Sequence, residues 1–176
     1  MNVNTGMIRF AAMVFCAMMG IAMGLCAKGA SVPLFHIERS KNANIVQYDA
    51  RLTPDGSLDP KEPVEVYWIL LAEKGQRETL SWIQKKKAYG FDIEPSKVGK
   101  GFVMMLKPMR ERPIHVFKDG DSVHAELSIG GRHGYLEKLF IKSEEGAMLP
   151  KVIYIELFGK DAATGVALYE KIVPKD

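Results

Sequence analysis

The chain has 176 residues, of which 47% are hydrophobic and 26% charged, with a formal net charge of +3. That composition suits one globular domain with its own core and excludes disordered and fibrous chains. A charge this near balance also argues against a nucleic-acid binder, which would carry a clear basic excess.

The N-terminal segment stands apart. Its only basic residue before the apolar stretch is Arg9, and Phe10 to Ala27 runs for 18 residues without a charge. A positive start, an apolar run and then the small residues Ala27, Gly29 and Ala30 is the layout of a secretory signal peptide. The run falls just short of the ~20 residues of a membrane span. Residues 1–27 are therefore expected to be a cleaved signal, the alternative being an uncleaved N-terminal anchor. Cys26 raises lipidation, but Leu25 stands where a lipoprotein signal needs a small residue. The expected location is periplasmic or secreted, and less so membrane-anchored. Cys16 and Cys26 both lie in this segment. A domain cut after Ala27 thus has no disulfide, zinc-thiolate site or cysteine nucleophile.

From Leu34 onward alternation dominates, the signature of half-buried strands. Leu34 to Arg39 reads as a first strand and Ile45 to Leu52 as a second, with Val46, Tyr48, Ala50 and Leu52 on one face and Gln47, Asp49 and Arg51 on the other. Val64 to Leu70 turns Val64, Val66, Trp68 and Leu70 inward, against Glu65 and Tyr67. Helix formers with Glu78 early and lysines late predict one packed helix over residues 76–88, buried through Leu80 and Ile83 with Trp82 at its flank. Strand patterns resume at residues 101–106, 114–118 and 123–129. Gly130-Gly131 marks a two-residue hairpin turn into residues 136–142. Residues 152–158 and 166–173 close the chain as another hairpin, with Gly165 supplying a positive φ. About nine strands at short spacings predict a mainly β domain over residues 32–174, an antiparallel β-sandwich or β-barrel with one packed helix after an N-terminal signal helix.

The loop LTPDGSLDPKEP, residues 52–63, places Asp55, Ser57 and Asp59 at the first, third and fifth positions of a calcium loop. Pro60 then stands where glycine is required, and Val66 where a bidentate glutamate belongs, so the loop reads as a proline-braced turn. His36-x-Glu38 and His124-x-Glu126 each set an imidazole and a carboxylate roughly 6.5 Å apart along one strand face. That spacing serves a metal or an oriented base, and equally a solvated charge pair; His124 and Glu126 are expected to face solvent. His115 and His133 sit in no ligand motif. With HExxH, GxSxG, SxxK and the phosphate-binding glycine loops all missing, no catalytic residue, metal ligand or cofactor is assigned. Lys85 to Lys87, beside Trp82 and Tyr89, read first as charges complementing a helix C-terminus and second as a contact for a phosphate, an acidic glycan or a lipid headgroup. Trp68 and Trp82 read as core and lid residues, and also as lining for a barrel mouth.

Several stretches together, FHIERSKNANIVQYDARL, DGSLDPKEPVEVYWI, LSWIQKKKAYGF and VIYIELFGKDAATG with YEKI, resemble the exported bacterial proteins of domain-of-unknown-function family 4833. The resemblance implies a secreted or periplasmic protein of a Gram-negative, Bacteroidota-like bacterium, and it carries over no catalytic residue. The expected function is accordingly a non-catalytic envelope protein that binds a small ligand or a protein partner. Trp68, Trp82, His36 and Lys86 are its candidate contacts, with membrane contact only through the N-terminal segment. The alternatives are a hydrolase built on His36 or His115 converging with a carboxylate, and a module that assembles through an edge strand.

Overall fold

The computed structural model describes residues 29–40, 42–97, 99–144 and 151–174. The expected signal segment lies outside them. In chain order the strands are β1 (Ser31–Arg39), β2 (Asn42–Arg51), β3 (Val64–Leu70), β4 (Gln76–Thr79), β5 (Phe91–Pro95), β6 (Phe102–Leu106), β7 (Ile114–Asp119), β8 (Ser122–Ile129), β9 (Arg132–Ser143), β10 (Val152–Asp161) and β11 (Ala167–Ile172), with one short helix, α1 (Trp82–Lys87), between β4 and β5. They form one sheet in the order β4-β3-β2-β1-β9-β8-β7-β6-β5, while β10 pairs with β9 and carries β11 beyond it. The sheet curls into a half-barrel, the mainly β architecture that the alternation predicts.

The curl is organised by β9. Tyr135 pairs with Glu126 of β8 on one side and Lys160 of β10 on the other, and Lys138 pairs with His36 of β1 and Phe158 of β10. One edge of β9 is therefore shared, its first half by β8 and its second by β1. Between the halves Glu137 is an extra residue against β10, since Leu136 pairs with Gly159 and Lys138 with Phe158. This bulge switches which residues face the core, from Gly134 and Leu136 before it to Leu139 and Ile141 after it. A bulge bends its strand, and here it turns one arm of the sheet (β1–β4) toward the other (β5–β8). Gly159 is required opposite: a Cβ there would lie 2.3 Å from the Tyr135 carbonyl oxygen. The β1–β9 pairing is parallel, a departure from the fully antiparallel sheet expected.

Aromatic rings fill the concave side. Phe35 stacks on Tyr48 at 4.8 Å, Tyr48 meets the edge of Phe91 at 6.2 Å, and Trp68 meets Tyr89 at 5.3 Å. Met104, Leu106, Ile114, Leu139 and Leu157 are fully buried around them. Burial at roughly 25 cal/mol per Å² of apolar surface makes this packed interior the main stabilising term. The buried Tyr48 hydroxyl donates to the Tyr89 carbonyl at 2.7 Å and so ties β2 to the segment leaving α1. At Gly130-Gly131 both φ angles are positive, 59° and 78°, as a tight hairpin requires.

The helix differs from the expected span of 76–88. Lys74 and Gly75, both with positive φ, reverse the chain, and Gln76–Thr79 pairs with the open edge of β3 instead of coiling. Helix α1 begins only after Ser81, whose side chain accepts from the Gln84 amide while Gln84 reaches back to the Ser81 amide. This capping box sets the start. Leu80 is buried ahead of the helix, whereas Ile83 is exposed and no residue of α1 itself is buried. A further strand not anticipated, β5, is short and lies between Gly90 and a glycine-containing loop, so its alternation covers too few residues to stand out.

Candidate functional site

Three histidines gather on the outward faces of β7, β8 and β9. The register puts His115 opposite Glu126, Phe117 opposite His124, and Ser128 opposite His133. Directly opposed side chains on one face sit about 4.5–5.5 Å apart at Cβ, so these residues form a contiguous patch. Glu126 Oε1 lies 3.2 Å from His133 Nδ1, and the His124 ring stacks on Tyr135 at 4.1 Å. The outward facing of His124 and Glu126 follows the predicted alternation, with Val123, Ala125, Leu127 and Ile129 buried behind them.

Beside this patch, between the β5–β6 turn and the β7–β8 pair, runs an open groove of about 610 Å³. Its walls include Lys100, Arg112, His115, Lys118, Glu126 and His133. Arg112 is paired with Glu170, which leaves two further cations, Lys100 and Lys118, with the Glu126 carboxylate, and Lys118 also donates to the Gly120 carbonyl. Arg112 anchors one end: its guanidinium grips Glu170 of β11 with two bonds of 2.9 and 2.7 Å and donates at 2.6 Å to the Ser128 carbonyl. That fork, with the Gly130 amide as a further donor, holds the Glu170 carboxyl below the usual carboxylate range. The groove can exchange a proton at the Glu126–His133 pair and can hold an anion. Acyl transfer fits it less well, because the Gly130 amide at the hairpin, the natural oxyanion donor, is already committed to Glu170.

A second polar cluster lies on the outward face of the other arm, and it is closed. Asp49 is 1% exposed, yet its carboxylate accepts from Tyr67 at 2.7 Å, Gln47 at 3.0 Å and Ser31 at 3.4 Å, with Arg77 at 3.9 Å. Burial, followed by the hydrogen bond to Asp49, pushes the Tyr67 hydroxyl pKa well up. The Arg77 guanidinium lies over the Tyr67 ring at 4.2 Å and helps to seal the cluster. Every acceptor here has its donor, so the arrangement holds the sheet and offers nothing to a ligand.

Of the four residues singled out from the sequence, Trp82 and Lys86 meet on α1, and Trp68 and His36 lie apart from them. Trp68 is buried beneath Arg39, 5.0 Å from its guanidinium, and its indole donates to Gln84 at 3.3 Å. The same arginine lies 5.3 Å over Tyr89, whose hydroxyl burial pushes up to about 12 against the arginine's opposing pull. Trp82 is 71% exposed, with the Lys86 ammonium 4.7 Å over its ring. His36 stands on β1, 3.3 Å from Glu38, which also takes Lys138 at 3.2 Å. In the 52–63 loop, Asp55 accepts from Thr53 and Ser57, and Asp59 from the amides of Lys61 and Glu62. These acids are spent on shaping the turn. Among the described residues no group of three or more His, Cys, Asp and Glu is placed to share a metal, and no helix is long and apolar enough to cross a membrane.

The sequence offers His115 as a hydrolase candidate and Glu126 as a partner of His124, but their grouping with His133 and Arg112 joins three strands and a turn that no single-strand pattern links. Counting outward from the Gly130-Gly131 turn would have set Ser128 against His133. The His115–Glu126 pairing, in contrast, needed the β7–β8 register.

Once this geometry is in hand, comparison with known proteins adds one relationship. The model of a family described as "Domain of unknown function (DUF4833)" matches residues 35–171. No curated protein and no solved structure matches.

Proposed function

The chain belongs to the DUF4833 family, and on that footing we propose that it is an exported envelope protein that binds, without catalysis, a ligand or protein partner through carboxylate or phosphate groups. What supports a surface site is the packing: aromatic rings fill the concave side, and the groove beside β7 and β8 lies open on the outside. What supports an anionic ligand is its lining, in which Lys100 and Lys118 stand against Glu126, with two imidazoles beside them and Arg112, itself paired with Glu170, at one end. Export rests on the charge-free run ahead of the small residues 27–30.

The test uses the four histidines as reporters. Titrating the protein with inorganic phosphate, and separately with a glutamate-rich peptide, should move the ring resonances of His115 and His133 and leave His36 unmoved. Uniform movement of all four rings, or none, would show that the groove holds no anion. Export is tested separately by fusing residues 1–30 to a reporter enzyme active only outside the cytoplasm.

A hydrolase is the second reading, because Ser128 lies opposite His133 in the strand register and the His133 ring stands 3.2 Å from Glu126. A Ser128→Ala variant that abolished a measured esterase activity while leaving phosphate binding intact would favour it.

A further inference from the structure

Helix α1 is exposed along almost its whole length, although it is firmly held. Trp82 is 71% and Ile83 53% exposed, and Lys85, Lys86 and Lys87 all reach solvent. The single residue turned inward is Gln84, which caps the helix and accepts from the buried Trp68 indole. At about 100° per residue, placing Gln84 inward sets Trp82 and Lys86 at the middle of the outward arc, Ile83 and Lys85 on its two sides, and Lys87 back toward Gln84. The Lys86 ammonium folds over the Trp82 ring.

We propose that this face rests on an anionic lipid surface. An indole and an isoleucine together want an apolar medium, with the indole suited to the headgroup boundary, while the ring of ammonium groups wants phosphate. Protein interfaces favour tryptophan but are depleted in lysine, so three lysines around one indole fit a bilayer better than a protein partner. A soluble polyanion would answer the lysines and leave Ile83 wet. The expected membrane contact was the N-terminal segment alone; α1 adds a second one, on the folded domain.

Trp68 is buried and Trp82 exposed, and the chain has no other tryptophan, so Trp82 reports its own surroundings even if the N-terminal segment also attaches. Vesicles of phosphatidylcholine with one-third phosphatidylglycerol should shift Trp82 emission to the blue and protect it from acrylamide, and pure phosphatidylcholine should do so far less. Replacing Lys85, Lys86 and Lys87 together with glutamine should weaken the Trp82 response about 100-fold in lipid concentration, since each lysine near such a surface contributes roughly a factor of five. The unfolding midpoint of this variant should stay unchanged, because none of the three lysines is buried. Three results overturn the proposal: equal shifts with neutral and anionic vesicles, an equal shift with soluble polyglutamate, or a shift that grows with protein concentration without lipid. The last of these assigns the face to a second copy of the chain.

Discussion

Asp49 and Glu126 project from the outward faces of two interior strands, one on each arm of the sheet, and their surroundings could hardly differ more. Asp49 is 1% exposed and takes three hydrogen bonds, one from its own strand and one from each neighbour. Glu126 takes one imidazole, from a His133 side chain that is itself 86% exposed, at the wall of an open groove. A buried carboxylate must be fully paired or it costs several kcal/mol, so the first cluster is finished and belongs to the fold. The second lies at the wall of an open groove, where Lys100, His115 and His133 are placed to meet a further group.

Removing the finished carboxylate gives the largest expected effect. Asp49→Ala takes the acceptor from the buried Tyr67 hydroxyl and one of three from the Gln47 amide, and losing these two bonds to a charged group should cost about 3–5 kcal/mol of unfolding free energy, read as a lower midpoint in urea. A loss below 1 kcal/mol would mean that water replaces Asp49 readily, and the contrast between the two clusters would collapse. Tyr67→Phe removes one donor to the same carboxylate and should cost less, about 1.5–3 kcal/mol, the range for a hydrogen bond to a charged group.

Acid separates the clusters through the Arg112–Glu170 fork that bounds the groove. The Glu170 carboxyl is depressed, chiefly by the hydrogen bonds from Arg112. A depressed folded-state pKa contributes stability that is present above the unfolded value of about 4.3 and is lost as pH falls through the folded one. Stability should therefore decline as pH drops below about 4.3, and the decline should be shallower in Arg112→Gln. The same slope in both proteins, measured by urea unfolding between pH 3 and 6, would show that the fork does not couple to folding.

How much of this could be read from the chain follows the same division. The inward sets Val46-Tyr48-Ala50-Leu52 and Val123-Ala125-Leu127-Ile129 were legible because period-2 alternation is a local property of one strand. The closed cluster was half legible: Gln47, Asp49 and Tyr67 are correctly turned away from the core, but their burial depends on Arg77 folding across from β4. That strand carries a helical pattern, because QRET has good helix propensity and only the open edge of β3 decides otherwise. The groove was legible only in fragments. Its residues come from β7, β8, β9 and the β5–β6 turn, and a register between strands leaves no mark on either strand alone.

Glu126→Gln gives the smallest and most discriminating effect. The pair with His133 is exposed, and such pairs contribute roughly 0–1 kcal/mol, so stability should change by no more than about 0.5 kcal/mol. Binding should move in the opposite sense from a damaged site. The substitution removes the carboxylate that lines the groove, and with it a repulsion that at contact distances in water is about 1 kcal/mol. Phosphate should then bind up to about fivefold tighter, read from the His115 ring resonance, which has lost its facing carboxylate but not its place in the groove. Weaker binding would mean that Glu126 acts on the ligand through His133, as an orienter of its imidazole. The groove would then have to be read as a reactive site rather than a binding one.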